Sequence, residues 1–365
     1  NSEAAEATAT ELGVKVFKVE GDYNDANGPC EPAQDQFRHI VVARHHDAHL
    51  AAAAARGHNP LLASYGPALI DRALLDGLCR ALDVSFYAAV QTNAVGLGAS
   101  HAAFAGFDWD ATLRALQPAG TIAARHTVGL VDAIAAADLR EPVHDGLPET
   151  LEQVVARYGH RHFKLKVGGR VDDDVARLTA IAGVLDRSPH EYLVSLDGNE
   201  QYADAAGVLE LLARLRAAPA LVRLWRSIAF IEQPIARARA LEVDVGDIAG
   251  LKPVIIDESD GELDAFERAR ARGYRGISSK TCKGLYKSLL NAARCARWNA
   301  GEGGPRYFMS GEDLTTQAGL AVQQDLALVN LLGLTHVERN GHHYVNGMAA
   351  LPQVEQQAFL TAHPD

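Results

Sequence analysis

The feature that most constrains the fold is a regular alternation of short apolar runs with longer amphipathic segments, beginning near residue 120. Strands and helices that alternate in this way are typical of a parallel sheet built from βαβ units. The apolar runs are Thr121–Arg125, His162–Val167, Tyr192–Leu196, Ala229–Glu232, Val254–Asp257, Gly276–Lys280, Tyr307–Ser310 and Leu334–Glu338. The helical segments between them include Leu147–Tyr158, Asp173–Leu185, Ala203–Leu215 and Gly261–Arg272.

Roughly eight such units predict a (β/α)8 TIM barrel, for which ~250 residues is a typical length. A doubly wound open sheet is the alternative, but no GxGxxG motif follows an early strand.

The chain before the barrel has a different pattern and predicts an α+β capping domain. Strands are expected at Val14–Val19 and Phe37–Ala43, separated by the polar segment Gly21–Asp35, which we expect to act as a mobile lid over the barrel mouth. The predicted helices are His49–Arg56, Ala68–Leu82 and Asp110–Leu116. We therefore expect a capping domain at residues 1–118, a catalytic barrel at 119–343, and a C-terminal segment at 344–365 that packs on the capping domain and completes it.

Composition excludes several classes of protein. The 365 residues include 35 Lys and Arg against 46 Asp and Glu, so the net charge of −11 argues against a nucleic-acid binder, which needs a basic face. No apolar run is long enough to cross a bilayer, and Asn1–Thr10 lacks the basic and apolar regions of a signal peptide. The cysteines have no CxxC spacing and predict free thiols in a reducing cytoplasm: Cys30, Cys79, Cys282 and Cys295. Homo-oligomerisation is left open.

Three successive predicted strands bring a carboxylate to their carboxyl ends: Asp197 directly follows the first, and Glu232 and Asp257 end the next two. Because the carboxyl ends of barrel strands meet at one mouth, these side chains should converge there. Converging carboxylates repel one another unless a cation lies between them, so a bound hard divalent metal is the natural solution. Ligation by oxygen alone favours Mg²⁺, with Mn²⁺ as the alternative, over Zn²⁺.

Lysines lie on both sides of these carboxylates in the sequence. Lys164 and Lys166 share one predicted strand, and residues two apart on a strand point to the same side. A buried ammonium group costs free energy unless a partner compensates its charge. Two lysines that point into the barrel therefore indicate a function. Lys280 ends a later strand, which lies on the opposite side of the predicted barrel.

This order of motifs resembles the enolase superfamily, in particular the mandelate racemase/muconate lactonizing enzyme family. The motifs are KxK at Lys164–Lys166, LDGN around Asp197, EQP from Glu232, DES from Asp257, and the strand-end Lys280. The resemblance covers the whole chain, because that family also places a capping domain before its barrel. It implies that Asp197, Glu232 and Asp257 bind Mg²⁺ and that Lys166 and Lys280 are the acid/base pair.

The resemblance implies abstraction of the α-proton of a small carboxylate substrate through a metal-stabilised enediolate. The simplest reaction is racemisation or epimerisation. A cycloisomerase and a β-elimination dehydratase are alternatives in the same superfamily. A Schiff-base lysine aldolase and a non-catalytic barrel are more remote alternatives.

Other polar residues are given supporting roles. Lys164 is expected to contact the substrate carboxylate and to tune Lys166, while Glu312 and Glu338 are expected to bind substrate at an acidic rim that disfavours phosphorylated substrates. An Asp-x-Asp pair, which resembles the ammonium-binding feature of dipeptide epimerases, is absent from the eighth strand. Asn199 and Glu258 are expected to contact the metal ligands without binding the metal themselves. The run Asp172–Asp174 opens a predicted helix, where negative charge suits the helix dipole.

Overall fold

The computed structural model describes residues 44–98, 102–301, 306–341 and 345–362. The predicted strands Val14–Val19 and Phe37–Ala43, the segment Gly21–Asp35, and Cys30 lie outside the described residues. In the described part of the chain, no helix is both long and apolar enough to span a membrane.

Eight parallel strands close into a barrel in sequence order, with β1 hydrogen-bonded to β8. The strands are β1 Ala123–Val128, β2 His162–Lys166, β3 Leu193–Asp197, β4 Ile228–Glu232, β5 Val254–Ile256, β6 Gly276–Ser279, β7 Phe308–Gly311 and β8 His336–Arg339. Each predicted apolar run contributes one strand. The barrel prediction is therefore confirmed, and the open-sheet alternative is wrong.

Helices follow the strands and cover the outside of the barrel. They are α5 Leu151–Tyr158, α6 Val171–Leu185, α7 Ala205–Ala217, α8 Val222–Ser227, α9 Arg237–Ala240, α10 Gly246–Leu251, α11 Ala265–Ala271, α12 Leu285–Gly301 and α13 Leu320–Leu331. Strand side chains that point outward, such as Leu165 and Leu196, are fully buried in one core with helix residues such as Ile181 and Leu212. Because these apolar positions alternate with inward ones on β2 and β3, polar side chains such as Lys164 and Asp197 point into the barrel.

Among the described residues, four α-helices precede the barrel: α1 Arg44–Ala55, α2 Pro60–Leu82, α3 Phe86–Gln91 and α4 Trp109–Arg114. Apolar side chains of α2, α3 and α4 form a second core with helix α12 of the barrel, in which Leu75 and Trp109 pack with Tyr286 and Leu289. The described tail contains one helix, α14 Gln353–Ala362, none of whose residues is buried. The domain boundary at residue 118 and the packing of the tail on the capping domain remain predictions.

Candidate active site

The predicted catalytic and metal-binding residues meet at the carboxyl end of the barrel. Lys166, Asp197 and Glu232 are the last residues of β2, β3 and β4, and they stand side by side in the strand register. Asp257 and Lys280 come directly after β5 and β6. Because the ring runs in order from β1 to β8, β2 and β6 face each other across the barrel. The lysines of the proposed pair therefore belong to opposite walls.

Each of these two lysines contacts a carboxylate. Lys166 Nζ lies 2.5 Å from Asp197 Oδ2, and Lys280 Nζ lies 2.6 Å from Asp257 Oδ2 and 2.5 Å from Asp313 Oδ2. Burial and the charge of Lys164 lower the pKa of Lys166, but attraction to Asp197 outweighs them and the net pKa is raised. Burial likewise lowers the pKa of Lys280, and its two carboxylate partners raise it well above the ordinary value. Both lysines are therefore held as ammonium ions in this arrangement.

Lys164 is enclosed by carboxylates. Its Nζ lies 3.0 Å from Asp197 Oδ2, 2.9 Å from Glu232 Oε2, 3.0 Å from Glu312 Oε2 and 2.9 Å from Glu338 Oε2, and only 2% of its side chain is exposed. Burial alone would lower the pKa of Lys164, but the four negative charges raise it well above the ordinary value. Lys164 is therefore a fixed positive charge inside the barrel.

Glu312 and Glu338, predicted to bind substrate, are both fully buried in this network. Glu312 also contacts Arg125, a buried residue of β1 that the sequence analysis did not assign to the site. Glu338 accepts a hydrogen bond of 2.7 Å from Thr127. A substrate would reach these carboxylates only after their present pairs separate, and their substrate-binding role remains a prediction. The available signal for Arg125 was its position as a charged residue at the end of the predicted run Thr121–Arg125.

The DGN and EQP motifs interlock at neighbouring strand ends. A Cβ on Gly198 would lie 2.5 Å from Pro234 Cα, so only glycine fits at this close approach. The Asn199 backbone N–H donates to Asp197 Oδ1 at 2.8 Å, and its side-chain amide donates to Glu258 Oε1 at 2.7 Å. Asn199 thus joins Asp197 to Glu258, and the supporting role expected of both residues toward the metal ligands stays a prediction.

Gln233 is a buried positioning residue for Asp257 that sequence reasoning missed. Its Oε1 accepts from the backbone N–H of Asp257 at 2.8 Å and of Ser259 at 3.2 Å. Its Nε2 donates to Ile235 O at 2.8 Å and to Ser259 Oγ at 2.7 Å. The Gln233 side chain therefore links the segment after β4 to the segment after β5 by hydrogen bonds. These bonds fix the backbone direction at Asp257.

Lys283 and Lys287 are two further buried lysines, which follow Lys280 in the chain and contact Asp257 and Asp260. Lys283 Nζ donates to the Asp257 carbonyl at 2.7 Å and lies 2.7 Å from Asp257 Oδ1. Lys287 Nζ lies 3.2 Å from Asp260 Oδ1. The spacing of Lys280, Lys283 and Lys287 resembles one face of a helix, and this was the signal that could have identified them.

The chemistry of the donor set fits a hard divalent cation. Every candidate ligand atom is a carboxylate oxygen. Glu232 Oε2 is buried and accepts no hydrogen bond from the described part of the chain, although it forms an ion pair with Lys164 Nζ at 2.9 Å. Burial and the charge of Glu312 raise the pKa of Glu232 well above its ordinary value, which indicates a shortage of positive charge. As placed, however, no three His, Cys, Asp or Glu side chains of the described residues surround a point that could hold an ion. Asp197 and Asp257 are turned onto lysines instead.

Comparisons with known proteins identify the family and the fold of this chain. Residues 146–353 match the family described as enolase C-terminal domain-like. The fold is similar to that of a mandelate racemase/muconate lactonizing protein from Herpetosiphon aurantiacus, with 17% identity, a TM-score of 0.53, and coverage of 88% of this chain and 78% of the other. It is also similar to the L-Ala-D/L-Glu epimerase from Bacillus subtilis, with 15% identity, a TM-score of 0.53, and coverage of 92% and 72%. No curated protein matches the chain. The family match covers more than half of the chain, which therefore belongs to the enolase C-terminal domain-like family, among the mandelate racemase and muconate lactonizing enzymes of the enolase superfamily.

Proposed function

We propose that this enzyme removes the α-proton of a small carboxylate substrate with the help of a divalent cation, and that it is most simply a racemase or epimerase. The observation that carries the proposal is the placement of Lys166 and Lys280 on opposite walls of one barrel mouth. Two bases that face each other can address both faces of a substrate lying between them. The similarity in fold to an L-Ala-D/L-Glu epimerase supports this class of reaction.

Asp197, Glu232 and Asp257 would hold the cation, with Mg²⁺ favoured and Mn²⁺ as the alternative. When bound, it would supply positive charge beside the substrate carboxylate, where negative charge develops as the proton leaves. Asn199 and Gln233 would orient Asp197 and Asp257 through the hydrogen bonds described above.

The lysines would move the protons. In each direction one lysine takes the α-proton at its Nζ while the other, as an ammonium, returns a proton to the opposite face. The base must be neutral at that moment. Separation of Lys166 from Asp197 would remove the largest attraction that now raises its pKa. Burial and Lys164 would then lower the pKa of Lys166 against the weaker attraction of Glu338. The fixed positive charge of Lys164 would thus lower the pKa of Lys166 by electrostatic repulsion.

The first experiment follows α-proton exchange in deuterated water by NMR, over a panel of chiral carboxylates. The separate variants Lys166→Ala and Lys280→Ala should each lose exchange with one enantiomer and keep it with the other. Lys252→Ala is the control, because Lys252 precedes β5 and so lies at the far end of the barrel, where its Nζ donates to Ile228 O at 2.8 Å. If either active-site variant keeps full turnover, the two-base mechanism fails and a one-base cycloisomerase or dehydratase takes its place.

The second experiment measures binding of Mg²⁺ by calorimetry and by thermal unfolding. A ligand at a hundredfold excess over its dissociation constant stabilises the native state by about 2.7 kcal/mol. Asp197→Asn, Glu232→Gln and Asp257→Asn should each weaken binding and reduce this stabilisation. Glu210→Gln, on the exposed face of α7, should not. Unchanged affinity in all three variants would contradict the assignment of the ligands.

A further inference from the structure

A buried aspartate on helix α13 fastens the two loops that carry Lys280 and its partner Asp313. Asp325 is 4% exposed. One of its oxygens accepts from Thr315 N at 2.8 Å and from Thr315 Oγ1 at 2.7 Å, and the other accepts from the Thr281 hydroxyl. Thr281 directly follows Lys280, and Thr315 lies two residues after Asp313. Asp325 therefore ties the loop after β6 to the loop after β7.

A second buried aspartate makes similar hydrogen bonds to the loop beside Lys166. Asp174 lies in the first turn of α6 and is 3% exposed. Its carboxylate accepts from Gly168 N at 2.6 Å, Gly169 N at 3.0 Å and the Tyr202 hydroxyl at 2.7 Å. The two glycines follow Lys166 in the loop after β2, and Tyr202 lies in the loop after β3.

The two aspartates thus make the same kind of connection. Each joins the loop beside one lysine to the loop beside a carboxylate paired with that lysine, which is Asp197 for Lys166 and Asp313 for Lys280. The helix dipole does not explain this arrangement. Asp172, in the same first turn as Asp174, has 86% of its side chain exposed and pairs with Arg214 at 2.9 Å, so charge alone can be placed there without burial. A buried carboxylate costs free energy unless donors satisfy it, and Asp174 and Asp325 are each satisfied by donors from both of their loops.

We propose that Asp174 and Asp325 are positioning residues, one for each lysine of the acid/base pair, an inference that rests on the proposed function. Each holds its lysine at a set distance from the substrate by bracing two adjacent strand-end loops. Misplacement of a reacting group by about 1 Å can lower a rate by ~10²-fold. Loss of one aspartate should therefore impair one lysine and leave the other in place.

The first test does not depend on activity. The wild type, Asp174→Asn and Asp325→Asn are treated briefly with acetic anhydride, and acetylation of Lys166 and of Lys280 is measured by mass spectrometry. Asp174→Asn should raise acetylation of Lys166 relative to Lys280, and Asp325→Asn should do the reverse. Equal changes at both lysines, or none, would overturn the proposal. If the asparagine variants do not fold, Tyr202→Phe and Thr281→Val remove one donor from each aspartate with less disturbance and are read in the same way.

The second test measures α-proton exchange for each enantiomer. Asp325→Asn should reduce mainly the exchange that Lys280→Ala abolishes, and Asp174→Asn mainly the exchange that Lys166→Ala abolishes. The matched control Asp172→Asn should leave both unchanged. Equal loss of both enantiomers in both variants would indicate a general structural role and overturn the positioning assignment. If the wild type exchanges no carboxylate while acetylation still changes selectively, the proposed function fails and the positioning role stands.

Discussion

Replacement of Lys164 by methionine should destabilise the protein strongly, because it removes one cation from among four buried carboxylates. Methionine keeps most of the length and apolar contact of the lysine stem, so the change isolates the charge. Removing one member of a buried ion pair costs about 3–5 kcal/mol, since the remaining charges are left without compensation. Domains of ordinary stability unfold at a cost of about 5–15 kcal/mol, so this one substitution should remove a large share of the total.

The measurement is urea unfolding followed by circular dichroism, with extrapolation to water. Arg214→Met is the control. Its guanidinium pairs with Asp172 at 2.9 Å, but the two side chains are 47% and 86% exposed, and exposed pairs contribute about 0–1 kcal/mol. If Lys164→Met costs no more than Arg214→Met, the carboxylates do not depend on Lys164 for compensation and the reasoning is refuted.

The dependence on pH separates charge from packing in the same variant. Without Lys164, the buried carboxylates should have pKa values above those of the unfolded chain, so the native variant binds protons at a pH where the unfolded chain does not. Stability then rises as the pH falls, and the deficit relative to the wild type should shrink between neutral and mildly acidic pH. A deficit that is constant over this range would indicate lost packing instead.

Two further predictions concern other parts of the structure. Gly198→Ala should cost about 1–3 kcal/mol, because its Cβ would meet the Pro234 backbone at 2.5 Å, whereas Gly183→Ala within α6 has open space and should stabilise the helix by about 0.5–1 kcal/mol. Equal melting temperatures for the two variants would contradict this. Burial, then Arg125 and His162, lower the pKa of His336 to about 4 from an ordinary 6.5. The unfolded chain therefore takes up this proton first, and wild-type stability should fall by up to about 3 kcal/mol as the pH drops from about 6.5 to about 4. His336→Gln should lose that part of the pH dependence, and an unchanged slope of unfolding free energy against pH would show that His336 does not supply it.

Much of the barrel and part of its mouth were predictable from local pattern. Apolar runs and amphipathic segments placed all eight strands within a few residues, because the strand and helix periods are properties of neighbouring residues. The positions of Asp197, Glu232 and Lys280 at the same end of the barrel followed from the rule that parallel strands share a carboxyl edge. The predicted strands before residue 44 lie outside the described part of the chain and stay predictions.

The partners of those residues depended on the tertiary structure. Lys164 meets Glu338 because β1 closes onto β8 and completes the ring, and no spacing along the chain encodes that contact. Asp174 resembles its exposed neighbour Asp172 in sequence, yet only Asp174 turns inward onto two loops. The residue types that arrive at the barrel mouth can be read from the chain, since they depend on periodicity within single strands and helices. The closed barrel alone decided which charges become buried pairs, because burial and pairing energies depend on distances between segments that are far apart in the chain.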